Sequence, residues 1–201
     1  MSSGMHSYAV NVERLRAYMV IGLLCALLTP LANSLIGQIE ALSDLEPWIS
    51  AGPSFGFLYG LLFVVYNKLA WKVTALKYIG FPTVTNINGK YKGELVSSYK
   101  KTKIPLEIEV VQDWTKMVIY TTTSNETSHS YSYTASQFDI DGKSTRLTYS
   151  YTNDPFSAIA DKDMQPHDGT ANLVFRRNGS VKGTYFNARN RTGTITLKKV
   201  Q

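Results

Sequence analysis

The economical reading of 201 residues is one small domain with its own core plus an anchor. The formal charge of +6 is uneven: from Lys72 onward, 18 Lys and Arg stand against 11 Asp and Glu, a local balance of +7. That balance suits an anionic ligand or an anionic membrane face, unless the lysines only solvate a β surface. The sole cysteine, Cys25, lies in an apolar segment, which excludes disulfides and thiol chemistry from the rest of the chain.

Two apolar segments come first, Ala17 to Gly37 and Pro53 to Ala70, with Lys68 near the end of the second as their one charged side chain. Each approaches the ~20 apolar residues that cross a hydrocarbon core as a helix. Arg14 and Arg16 precede the first, Lys68, Lys72 and Lys77 close or follow the second, and the connection from Gln38 to Ser50 carries Glu40, Asp44 and Glu46 without a Lys or Arg. The positive-inside rule then places both termini in the cytoplasm. A cleaved signal peptide ending near Ala32 to Ser34 is the rival for the first segment.

In the second segment Gly52, Gly56 and Gly60 repeat at intervals of four, so they share a helical face and admit a close backbone. That face either packs the two helices together, against Gly22 and Ala26, or mediates assembly between subunits. Residues 1–71 are thus expected to form a two-helix transmembrane hairpin and 72–86 a linker.

From residue 87 to 201 helical periodicity gives way to alternation. Tyr91, Gly93 and Leu95 alternate with Lys and Glu; Leu106, Ile108 and Val110 follow, then Met117 and Ile119, Tyr131, Tyr133 and Ala135, Leu147, Tyr149 and Tyr151, Leu173 and Phe175, Tyr185 and Phe186, and Ile195 and Leu197. These read as eight half-buried strands. Turn chemistry separates them, with Asn178-Gly179 the strongest hairpin signal. Eight short antiparallel strands with no covering helix are best satisfied by an up-and-down β-barrel, which removes both edges. The stretch Asn153 to Gly169 is its one long loop, a candidate lid or rim.

Enzymatic constellations are scarce. His6, His129 and His167 form no metal-ligand spacing, and there is no phosphate-cradling glycine loop or nucleophile elbow. The densest polar group, Asp161, Asp163, His167 and Asp168, reads as a solvated loop. No metal, no cofactor and no catalytic residue are expected, nor a DNA or RNA polymer as partner.

What the barrel does offer is aromatic rings interleaved with cations. Stacking faces are expected from Tyr91, Tyr149, Tyr151 and Tyr185, and phosphate or base-edge contacts from Arg146, Asn187, Arg189 and Thr194. Aromatic faces stack bases at ~1 to 3 kcal/mol each, and Arg binds phosphate as a fork. The same pattern also suits a Tyr-rich core with Arg at its rim. These positions rest on strand parity, which a one-residue slip reverses.

The order helix, acidic loop, helix, linker, opening strand Asn88-Gly89-Lys90-Tyr91-Lys92-Gly93, and closing pair Gly183-Thr184-Tyr185 to Gly193-Thr194-Ile195 resembles the bacterial CBASS anti-phage effectors with two transmembrane helices and a β-barrel. The resemblance implies a cytoplasmic barrel that binds a cyclic dinucleotide from a partner nucleotidyltransferase, in a protein seated in the bacterial inner membrane. It further implies a homo-oligomer on activation that disrupts the lipid bilayer and causes abortive infection. A lipocalin-like carrier of an apolar ligand, or a module recruiting a protein to the membrane, are the alternatives.

Overall fold

The computed structural model describes residues 4–42, 55–99, 101–123, 128–155 and 166–200. The chain divides into two compact units, Met1–Asn11 with Thr85–Gln201, and Val12–Val84.

The first unit is a sheet of nine strands: β1 (His6–Val10), β2 (Gly89–Ser97), β3 (Lys103–Gln112), β4 (Lys116–Thr123), β5 (Ser128–Asp139), β6 (Ser144–Pro155), β7 (His167–Arg176), β8 (Ser180–Asn187) and β9 (Thr192–Lys199). From β2 to β9 each strand pairs antiparallel with the next, and β9 returns to β2, so the ladder closes into a ring.

The count differs from the eight strands expected, because residues ahead of the first apolar helix contribute one more. At one end of the ring β4 and β5 pair directly, Tyr120 opposite Tyr131. At the other end β1 fits between them, antiparallel to β4 and parallel to β5. A five-residue strand with one buried side chain, Tyr8, carries too little periodicity to be seen in sequence.

Alternation decides which face is buried. Leu106, Ile108, Val110 and Gln112 of β3 point inward and Glu107 and Glu109 outward. Outside, Lys92 meets Glu107 at 2.8 Å, Lys103 meets Glu94 at 3.3 Å and Lys90 lies 3.7 Å from Glu109. Such exposed pairs add little stability each, but they account for these lysines as charged cover for the β surface.

The end that holds β1 is plugged. Trp114, Met117, Ile119, Ile108 and Leu147 are fully buried there. The buried amides close on themselves: Gln112 Nε2 donates to the Tyr8 hydroxyl (3.0 Å) and to Gln137 Oε1 (2.9 Å), while Gln137 Nε2 donates to the Thr85 carbonyl (2.6 Å). Ile87 N–H donates to Gln112 Oε1 at 3.1 Å, and the Tyr8 hydroxyl to the Asp113 carbonyl at 3.1 Å. These buried amide and hydroxyl groups thereby find the partners their burial demands.

The second unit contains α1 (Arg14–Leu42) and α2 (Phe55–Lys68), then short 3₁₀ turns over Ala70–Lys72 and Thr74–Ile79. Residues Arg14–Gln38 make a helix long and apolar enough, by length and composition, to cross a membrane. Pro30 lies within it without ending it, and the Thr29 hydroxyl donates to the Cys25 carbonyl at 2.8 Å. Ala17, Ile21 and Cys25, spaced by four, form its buried face, while Leu15, Met19, Leu23, Leu27 and Leu31 are exposed. The second apolar segment is helical over 14 described residues, about 21 Å at 1.5 Å per residue, which by itself is shorter than a full crossing.

Tyr18 of α1 meets Phe63 of α2 at 5.8 Å between ring centres. A Cβ at Gly22, Gly56 or Gly60 would meet nothing within 4 Å, and Ala26 is exposed. The glycine face is therefore not what holds α1 to α2 here; Gly52 lies outside the described residues. Tyr66 and Trp71 are buried within this unit, where the Tyr66 ring stacks on Phe81 at 4.5 Å.

Candidate ligand-binding site

The open end of the ring is built from the ends of β2, β4, β6 and β8 and the starts of β3, β5, β7 and β9, as the antiparallel order requires. Along β4, β6 and β8, and at the end of β2, the inward residues change from aliphatic to polar or aromatic toward that end. Leu147 gives way to Tyr149, Tyr151 and Asn153; Val181 to Tyr185 and Asn187; Ile119 to Thr121 and Thr123; Leu95 to Ser97. The result is a cavity of about 200 Å³.

Five of the residues singled out in the sequence line it together: Tyr149, Tyr151, Tyr185, Asn187 and Arg189. The Tyr185 hydroxyl donates to Ser97 Oγ at 3.1 Å, and Tyr149 bonds Thr121, so these rings brace β8 to β2 and β6 to β4 across the lumen. Burial pushes the Tyr149 phenol up to about 12. Tyr151 is pushed up in the same direction, first by burial and then by the neighbouring Tyr149 and Tyr185. Both rings present neutral hydroxyls at physiological pH.

Two glycines make room for two of them. A Cβ on Gly169 would lie 2.5 Å from the Tyr151 hydroxyl, and one on Gly193 2.5 Å from Tyr185 Cε1. Asn187 organises the turn between β8 and β9: its Oδ1 accepts from the backbone N–H of Arg189 (3.1 Å) and Arg191 (3.2 Å). With that oxygen committed, Asn187 has only its amide N–H₂ to give a ligand. Asn190 takes the left-handed conformation the turn needs, φ 56°. This turn delivers Arg189 and Arg191 to the cavity.

Tyr91, Arg146 and Thr194 are not brought to this cavity. Tyr91 faces the lumen but at the plugged end, its hydroxyl donating to the Ile87 carbonyl (2.8 Å) and its ring edge-on to Phe175 (5.1 Å). Arg146 and Thr194 are exposed, because inward parity falls on Thr145 and Leu147 in β6 and on Ile195 and Leu197 in β9. Tyr131 and Tyr133 also lie on the outer face: an irregularity in β5 between Ser132 and Thr134 turns Ser132 inward instead.

The sequence pattern passed over several lining residues. His167 belongs to β7, opposite Asn153 of β6, and both line the cavity with Ser97, Thr121, Thr123, Ser130 and Arg191. Asp168 next to it points away and accepts from the Thr152 hydroxyl at 2.7 Å. The loop expected from Asn153 to Gly169 is shorter, since both ends are strand; Asp161 and Asp163 lie outside the described residues. Among the described residues no cluster of three His, Cys, Asp or Glu stands ready for a metal. The signal that finds the missed residues is the polar turn of the inward positions at one shared end.

Seen as chemistry, the cavity pairs three phenol rings with an amide donor, an imidazole and two guanidinium groups, and among the described residues no carboxylate lines it. An anion meets attraction from these two guanidinium groups.

A family model described as "Cap15, cyclic dinucleotide receptor domain" matches residues 82–199. That range contains β2 to β9 and every lining residue, while β1, α1 and α2 precede it. No curated protein matches the chain.

Proposed function

The chain belongs to the Cap15 family of cyclic dinucleotide receptor domains, a CBASS effector domain, and from that premise we propose that the open-end cavity is where the cyclic dinucleotide binds. The observation that carries this is the lining: tyrosines, Asn187 and two arginines gathered from β6, β8 and the turn after β8, with no acidic residue among the described lining residues. A base stacks among Tyr149, Tyr151 and Tyr185, Asn187 donates to a base-edge or phosphate oxygen, and Arg189 takes a phosphodiester. The cavity's roughly 200 Å³ is below the ~300 to 1,000 Å³ of pockets that engulf small molecules, so one base is seated and the phosphodiesters stay at the rim. An apolar ligand is disfavoured because it would offer nothing to the Arg189 and Arg191 guanidinium groups and the Asn187 amide that line the cavity.

The helical unit anchors this receptor in a bilayer. The exposed leucines of α1 suit lipid better than water. Residues 12–84 leave the β unit after Asn11 and return at Thr85, and β1 and the Thr85 contact both belong to the plugged end. Leaving and returning at one end supports an even number of crossings, hence α1 and α2 as a pair, with both termini on one side. Signal cleavage near residue 33 would remove β1 from the ring, which speaks against that rival. Charge placement favours the cytoplasmic side.

Ligand made by a partner nucleotidyltransferase gathers receptors, and anchoring in the plane raises the helices to effective concentrations of order mM. The open Gly56 and Gly60 face, continued to Gly52 in sequence, then joins helices of different copies, forms a homo-oligomer and breaches the inner membrane. The test is calorimetry on the full chain in nanodiscs, together with vesicle leakage on ligand addition. Saturable binding followed by ligand-dependent dye release supports the reading; leakage that ignores ligand counts against it.

A further inference from the structure

We propose that Tyr99 is a positioning residue for the site, holding the Arg191 guanidinium at the cavity rim for a phosphodiester. The inference rests on the reading that this cavity takes an anionic dinucleotide. Arg191 lines the cavity, and its guanidinium lies 4.2 Å from the centre of the Tyr99 ring. Tyr99 sits just past the end of β2, outside the lining itself, and its ring is exposed.

The backbone around the pair is fixed from both sides. Ser98 N–H donates to the Thr192 carbonyl at 2.8 Å, and Thr192 N–H donates to Ser98 Oγ at 3.1 Å. Thr102 Oγ1 donates to the Tyr99 carbonyl at 2.8 Å. Ser97 Oγ receives both the Tyr99 N–H (3.2 Å) and the Tyr185 hydroxyl (3.1 Å). One serine therefore joins the ring proposed to stack a base to the residue that carries the rim arginine.

An unheld arginine loses side-chain freedom on binding, whereas a guanidinium already held over a ring has less of it left to lose. Lys has the charge but not the plane, so it cannot be presented in this way.

The experiment is calorimetric titration of the full chain in nanodiscs with 3′,3′-linked cyclic di-AMP, cyclic di-GMP and mixed purine–pyrimidine forms, from about 50 to about 500 mM salt. Tyr99→Leu is expected to weaken binding by about three- to tenfold, and Tyr99→Phe by less than about twofold. Tyr99→Leu removes no charge, yet it should flatten the salt dependence as Arg191→Gln does, and the double variant should bind no worse than Arg191→Gln alone. Arg191→Lys, which keeps the charge and loses the stack, should resemble Tyr99→Leu and serves if the latter folds poorly. Binding by Tyr99→Leu and Arg191→Lys within about twofold of the unaltered chain, or fully additive losses in the double variant, overturns the inference alone. An unaltered chain that binds none of these nucleotides defeats the functional reading and this inference with it.

Discussion

The Tyr151 ring lies against the bare backbone of Gly169 on the neighbouring strand, where a Cβ would come within 2.5 Å of both Cζ and the hydroxyl and 3.0 Å of the Phe186 carbonyl. The glycine is thus part of the cavity wall although it contributes no side chain. Gly169→Ala should drive Tyr151 out of position and weaken dinucleotide binding by at least about tenfold, roughly the worth of one stacked base. The melting temperature should fall by only a few degrees, and calorimetry beside thermal unfolding separates the two effects.

Strand parity divides the sequence-chosen residues into two testable groups. Tyr185→Ala and Arg189→Ala each remove a lining group and should cost about tenfold or more in affinity. Arg146→Ala and Thr194→Ala change exposed positions and should bind within about twofold of the unaltered chain. Equal losses in both groups would move the site off the lumen.

Those groups also show how much the sequence disclosed. The alternation of Leu106, Ile108 and Val110 with glutamates gave strand and face together, and the inward tyrosines of β6 and β8 follow from the same period. Parity misplaced Tyr131 and Tyr133 because the β5 irregularity shifts every residue before it by one. Thr194 and Arg146 sit one residue off the inward series set by Ile195 and Leu197 and by Leu147 and Tyr149, so the same alternation turns them outward. β1 escaped notice since its pairing depends on chain distant by more than 100 residues, which no local period reveals. Gly169 and Gly193 were invisible as site residues because their role is to be absent beside a ring.

The plug made by β1 should matter for folding rather than for recognition. Gln112→Leu removes the donor to the Tyr8 hydroxyl and to Gln137 Oε1 and the acceptor of the Ile87 N–H. Leaving buried polar groups unpaired costs about 1 to 3 kcal/mol each, so a fall of roughly 5 to 10 °C in melting temperature is expected. A chain beginning at Pro82 lacks β1 altogether and should be less stable still. Unaltered melting of both would show that the ring closes without the first strand.

Alkaline pH should unfold the receptor through its tyrosines. Burial raises the Tyr149 and Tyr91 phenols from the usual 10 to about 12, so the folded state keeps protons the unfolded chain has released. Their contribution is complete below pH 10 and is lost as pH rises from there to about 12, at up to ~1.4 kcal/mol per pH unit for each buried phenol. Melting temperature should therefore decline above pH 10, and less steeply in Tyr149→Phe. An identical slope in that variant would place the titration elsewhere.

The helix face gives a prediction in cells. A Cβ at Gly56 is unopposed within the described chain, so Gly56→Leu should fold and bind nucleotide as before. It should nonetheless abolish ligand-dependent killing, because bulk at that face blocks close helix approach between copies. Killing that persists removes the glycine face from the mechanism.

The most direct measurement is calorimetry of the full chain in nanodiscs against the cyclic dinucleotide panel, repeated with Tyr185→Ala and Arg189→Ala combined. The expected result is saturable binding of at least one cyclic dinucleotide that the double variant loses while its melting temperature holds. Binding that survives the double substitution at unchanged affinity would contradict the cavity as the receptor site.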